Sequence, residues 1–178
     1  ELLLSKSDAP AFKVDKYVGP GEYHEVKLPN SSDDNISFKV ETDPAYKKIK
    51  DDSLSIQNIV YIVDKMSEVI IDNEVSFCEL DAHAGDGDFG MSVAKGFRQL
   101  KREWTELLDE ESLTIGSFLN KCSMIIMEYC GGASGPIWGS AFRAAARSAG
   151  NKMEVTKEEF SNMLQEAIRG IQITGERS

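Results

Sequence analysis

The chain has 178 residues, enough for one domain with its own core, and 41% hydrophobic against 28% charged residues is an ordinary globular balance. A net charge of −10, with a pI near 4.7, excludes nucleic acid and anionic membrane as expected partners. Three cysteines without framework spacing, and no apolar run long enough to span a bilayer, make the cytoplasm the expected compartment.

Residues 1–12, Glu-Leu-Leu-Leu-Ser-Lys-Ser-Asp-Ala-Pro-Ala-Phe, read as an apolar helix end running into a breaker. Residues 13–52 are polar and punctuated by Gly19-Pro20-Gly21, Pro29-Asn30 and Asp43-Pro44, so residues 1–52 are expected to be largely linker. Phe12–Val14 and Ile36–Val40 alternate just enough to allow short strands, and His24 reads as a solvated linker residue. At Ser53 the period changes. Ile56, Ile59, Val60, Val63, Met66, Val69 and Ile70 recur at helical spacing, with Ser53 as the expected cap, and residues 53–178 are expected to form a helical domain.

This first helix leads into Leu80-Asp81-Ala82-His83-Ala84-Gly85-Asp86-Gly87-Asp88-Phe89-Gly90. Asp81, Asp86 and Asp88 would repel one another if they converged without a counter-ion, and the glycines between them allow the tight folding that convergence needs. Hard oxygen ligands on a loop suit Mg²⁺ or Ca²⁺ rather than zinc. The calcium helix-loop-helix register fails. Counting from Asp81 puts His83 and Gly85 at ligand positions, and counting from Asp86 puts Phe97 where a bidentate Glu is required. A Mg²⁺ that keeps water and takes phosphate oxygens fits better, although a Gly/Asp-rich surface turn has the same composition. His83 reads as a solvent-facing loop residue, since Mg²⁺ prefers oxygen.

A second helix is expected from Gly90 to about Leu108, burying Val93, Phe97, Leu100 and Trp104, and a third from Ser112 to about Tyr129. The third is central, being apolar nearly all round at Met124–Met127, and Cys122 and Cys130 read as small core residues. Gly131-Gly132-Ala133-Ser134-Gly135-Pro136 then offers backbone N–H groups at a helix start, an arrangement that binds anions and that also serves as a plain Gly-rich connection. The fourth helix begins near Ser134 and ends at Gly150-Asn151. On it, Arg143 and Arg147 share a face, as a solvated pair or a phosphate-steering one. Thr156 with Glu159 forms a capping box for a fifth helix, whose apolar face runs from Phe160 to Ile171. The expected class is all-α, with both unusual loops between helices. In so acidic a chain, a bound nucleotide would need cations to invert the local field.

The two loops, Leu80-Asp81 with Gly85–Gly90 and Gly131–Pro136 with Gly139, and the helix ending Arg169–Gly175, resemble the nucleotide-binding (L) domain of dihydroxyacetone kinases over roughly residues 55 to 175. The resemblance implies an antiparallel helical barrel. It also implies that Asp81, Asp86 and Asp88 hold Mg²⁺ on ATP or ADP, and that Phe89, Gly90, Met91, Ser92, Gly132, Ala133, Ser134, Gly135 and Gly175 contact the nucleotide. No residue here is expected to be a nucleophile. The implied reaction is phosphoryl transfer from ATP to dihydroxyacetone or a similar small ketose, held on a K domain through a His that this chain lacks. The Leu-rich, Asp-Ala-Pro-Ala start is similar to the end of such a K domain, so the expected context is a fused K–L kinase. Two alternatives stand beside it. One is a free-standing subunit that keeps ADP and relays phosphate from a phosphocarrier; the other is a non-catalytic L-like regulator. Assembly as a homodimer is left open. The sequence departs from the family at Phe89, where His is common, and at Met91-Ser92, where Leu-Asn is common. The family also continues past the position of Ser178 with a Gly-Asp-Lys-Thr-Met-like segment, so the barrel is expected to be truncated here.

Overall fold

Residues 42–176 are described by the computed structural model. The segment 1–41, with the expected strands at 12–14 and 36–40 and with His24, lies outside them. Among the described residues the elements run β1 (Ser53–Ser55), α1 (Ile56–Asp72), α2 (Glu74–Asp81), α3 (Phe89–Arg102), α4 (Trp104–Leu108), α5 (Ile115–Tyr129), α6 (Ser134–Ala149), β2 (Glu154–Thr156) and α7 (Lys157–Gly175), after a 3-10 turn at Pro44–Lys47. The all-α class expected from the sequence is the class observed, with one small antiparallel ribbon added.

That ribbon moves the first helix start. Leu54 pairs with Val155, which buries both side chains, so residues 53–55 must be extended. Ser53 therefore lies in β1 and does not cap. The cap is Ser55: the Asn58 amide donates to its hydroxyl at 3.3 Å, and the Ser55 amide donates to Asn58 Oδ1 at 2.9 Å. Asn58 also donates to the carbonyls of Tyr46 and Lys48, fastening the 3-10 turn to α1. Thr114 caps α5 by the same reciprocal arrangement with Ser117, two residues beyond the expected Ser112. Thr156 and Glu159 cap α7 as expected.

Two helices differ from the sequence reading. The expected single helix from Gly90 to Leu108 is broken at Glu103 into α3 and α4. Beyond the break, Trp104 is buried edge-on to Phe118, with ring centroids 5.8 Å apart. The other is α2, which occupies what the sequence reading left as the approach to the Asp loop. No residue of α2 is fully buried, and its apolar residues are not gathered on one face, so periodicity could not reveal it.

The core lies between α1, α3, α5 and α6, around Phe97, Leu100, Trp104, Phe118, Ile115 and Ile126. Phe97 meets Trp138 and Phe142 of α6 edge-on. Each such side chain contributes about 1.5–3 kcal/mol through burial. Cys122 and Cys130 are buried free thiols, and burial raises the pKa of each, Cys130 to about 11. Among the described residues, one ion pair runs through this apolar core. Lys101 of α3 and Asp64 of α1 are both buried and bonded to each other, with the Lys101 ammonium 5.0 Å from the Trp104 ring centre. Thr42 donates to the second Asp64 oxygen at 2.7 Å, so the pair also anchors the chain entering the domain. Desolvation lowers the Lys101 pKa to about 8.

Removing one member of a buried pair leaves the other charge uncompensated. Lys101→Met is therefore expected to cost about 3–5 kcal/mol, read as a lower urea midpoint. The paired change Asp64→Leu with Lys101→Met should lose distinctly less. A single variant as stable as the parent would show that the pair does not hold α1 to α3.

Candidate functional site

The Asp loop leaves α2 and enters α3. Asp81 is the last residue of α2, and its Oδ2 accepts the amides of Gly87 at 3.0 Å and Phe89 at 3.3 Å, which closes the loop over its own side chain. The Asp88 amide donates to Asp86 Oδ1 at 3.4 Å. One carboxylate oxygen from each of Asp81, Asp86 and Asp88 lies within 4.8 Å of the others; Asp81 is half-buried and the other two are exposed. The Asp86 carboxylate beside it raises the pKa of Asp88 above the ordinary value. That shift is the signature of like charges crowded together, and a divalent cation among them would relieve it. His83 is exposed and outside this cluster.

The loop sits where it does because of Gly90. Its backbone rests against α2, and a Cβ there would run into the Glu74 carbonyl oxygen, with the Cys78 amide nitrogen 2.9 Å away. Arg98, two turns on, pairs with Glu74 and holds the same two helices together.

The Gly-rich loop meets the Asp loop through α3. The Gly131 amide donates to the Ser92 carbonyl at 3.1 Å, and the Ser134 amide to the Gly131 carbonyl at 3.1 Å. Gly132 takes a φ of +51°, in the region that side chains avoid, as the chain turns into α6. The α6 N-cap is Ala133, which gives no side-chain cap, so the positive end of this helix is left for an anion. Gly132, Ala133 and Ser134 share a cleft of about 230 Å³ with Asp81, Asp86, Asp88, Phe89 and Ser92. Eight of the residues expected at the site are thus gathered in one place.

Four are not. Gly90 and Gly135 are buried in helix contacts, Gly135 against the Met127 and Cys130 carbonyls, and Met91 faces solvent. Gly175 is exposed at the end of α7, with Thr174 beside it donating to the Ser140 hydroxyl at 2.8 Å. Two cleft residues escaped the sequence reading, Ile137 and Trp138. They lie three and four positions past Ser134, so helical spacing from an expected contact was the signal available. Phe89, which stands where family members commonly carry His, turns its ring toward Phe77 of α2, with centroids 6.1 Å apart.

A cleft of about 230 Å³ is below the roughly 300 Å³ at which pockets for whole small-molecule ligands begin, and it suits a cation with phosphate groups better than a complete nucleotide. Fold and cleft together define a small all-α domain in which three carboxylates face an uncapped helix start. The chain belongs to the DAK2 domain family, whose model matches residues 83–178. It is 32% identical over 115 residues to a PEP-dependent dihydroxyacetone kinase ADP-binding subunit, DhaL, of Listeria innocua, covering 65% of this chain and 53% of that one. It is 29% identical over 126 residues to the PTS-dependent dihydroxyacetone kinase ADP-binding subunit DhaL of Lactococcus lactis, covering 70% and 64%. It is 30% identical over 89 residues to an L-erythrulose 1-kinase of Mycolicibacterium smegmatis, covering 50% of this chain and 15% of that kinase. The match spans between half and two thirds of the length of the two DhaL subunits. Among the described residues, no helix is long and apolar enough to cross a membrane.

Gly90→Ala tests how the loop is positioned. The added methyl must push α2 from α3, which is expected to cost about 1–3 kcal/mol in urea unfolding and to lower Mn²⁺ affinity in water-proton relaxation. Gly175→Ala places its methyl group within 4 Å of no atom among the described residues and should change both far less. Equal behaviour of the two variants would remove Gly90 as the positioning contact.

Proposed function

We propose that this domain binds Mg²⁺ and ADP and serves phosphoryl transfer to a small ketose carried by a partner domain or subunit of the K type. The observation that carries the reading is the cleft itself, where three carboxylates with ligand atoms within 4.8 Å stand beside an uncapped α6 start. Asp81, Asp86 and Asp88 would hold the metal, with Asp81 fixed in orientation by the two amides it accepts. A bound Mg²⁺ would neutralise charge on the phosphate oxygens. Gly132 and Ala133 would receive phosphate oxygens on their amides, with the Ser134 hydroxyl as a further donor, its own amide being held by the Gly131 carbonyl. On this reading no side chain of the cleft serves as a nucleophile, and the domain's part is to position and neutralise.

The printed names of the DhaL relatives, ADP-binding subunits of PEP- and PTS-dependent kinases, favour the relay reading, in which ADP stays bound and is rephosphorylated in place. They favour it over the ATP-exchanging domain of a fused kinase that the N-terminal segment led the sequence reading to expect. The exchange reading keeps specific support from the matches to parts of erythrulose kinases of much greater length.

Calorimetry of Mg-ADP binding tests the site. Asp86→Ala is expected to abolish binding while leaving helical circular dichroism intact, because Asp86 is exposed and supports no core contact. Retained binding would refute the assignment. Slow release of labelled ADP would favour the relay, and release within seconds the ATP-exchanging enzyme.

A further inference from the structure

On the face of α6 and α7 away from the apolar core lies a second groove, of about 550 Å³, that the proposed function does not use. Arg143 and Arg147 line it from α6 and Arg169 from α7. Arg169 is paired with Glu166 at 2.5 Å. Arg143 and Arg147 have no carboxylate within ion-pairing distance among the described residues. Arg143 is half-buried and Arg147 exposed. In a chain of net charge −10, this is a local reversal of sign.

We propose that this groove docks an acidic amphipathic helix of a partner protein. Charge complementarity gives the sign, and spacing gives the shape. Arg143 and Arg147 are one helical step of four residues apart, about 6 Å along α6, the pitch at which carboxylates four residues apart repeat on a partner helix. Guanidinium groups grip carboxylates in a two-pronged way that a lone ammonium does not. The groove also has an apolar strip, Met127, Ala144 and the largely exposed Ile173, beside the hydroxyls of Ser140, Ser148 and Thr174, and its one carboxylate, Glu166, is the partner of Arg169. A free phosphate has no use for such a floor; the leucines of an amphipathic helix do. The groove begins at Ser140, about 9 Å along α6 from Ser134, so a docked partner would stand beside the Gly-rich loop.

The test uses the whole chain and a fluorescein-labelled peptide of about 16 residues, long enough to be helical, with glutamates at i and i+4 and leucines on the same face. Fluorescence anisotropy should show binding that weakens with salt, and Arg143→Gln with Arg147→Gln should reduce affinity at least about 10-fold. Circular dichroism and the urea midpoint confirm that this variant is folded, and Mg-ADP calorimetry should give the same result for it as for the parent. If neither protein binds Mg-ADP, the nucleotide reading fails while the peptide result still decides the docking one. The proposal is overturned if the peptide does not bind, if the double variant binds it within about twofold, or if a glutamine-for-glutamate peptide binds equally well. Displacement of the peptide by submillimolar inorganic phosphate would also overturn it, making the groove a small-anion site.

Discussion

Both loops of the cleft depend on backbone contacts that only missing side chains allow, along the first two turns of α3. At Gly90 the helix lies against α2, and at Gly96, close to two turns on, it lies against Cys130, whose sulfur and amide nitrogen occupy the space a Cβ would take. The first contact fixes the end of α2 and therefore Asp81. The second fixes the end of α5 and therefore the start of the Gly-rich loop, which Ser92 then secures through its carbonyl. α3 is thus the common ruler for two loops separated by more than forty residues of chain. A methyl group at either glycine would move one loop relative to the other, and a site built from two loops has little tolerance for that.

Electrostatics divides the molecule into two kinds of charge. Lys101 and Asp64 are matched and buried, so their attraction acts in a medium that screens it weakly, and they lock α1 to α3. Asp81, Asp86 and Asp88 are unmatched and near the surface, and the raised pKa of Asp88 records their mutual repulsion. The fold therefore holds like charges together at some cost and keeps them wet enough to take up a cation. The uncapped α6 start opposite supplies the complementary sign, so a metal and its phosphate anion would each find half of the site already in place.

What the sequence made legible follows the strength of its physical signals. Long amphipathic segments gave α1, α5, α6 and α7 because burial on one face repeats at 3.6 residues. The capping box at Thr156 is legible because Glu159 stands at the required offset. The cap expected at Ser53 is not formed, because a three-residue strand has no period of its own and only its distant partner, residues 154–156, makes it extended. α2 was invisible because it buries no complete face, yet it carries Asp81. Motif spacing pointed to the loops, but it could not separate glycines that face the cleft from those that permit helix contact. Gly132 does the first, while Gly90 and Gly135 do the second.

Phe89 stands at a position where the family commonly has His, and here its ring and its backbone have separate partners. Its side chain lies against Phe77, so the ring adds to the seam between α2 and α3, and its amide is the group that faces Asp81. A His at the same position would offer a polar atom to the cleft, but the loop closure made by that amide would be the same with either residue. The Asp81 carboxylate is held by the backbone amides of Gly87 and Phe89, neither of which depends on the ring at position 89. In this chain the position contributes its ring to the contact between α2 and α3 and its amide to the closure of the Asp loop.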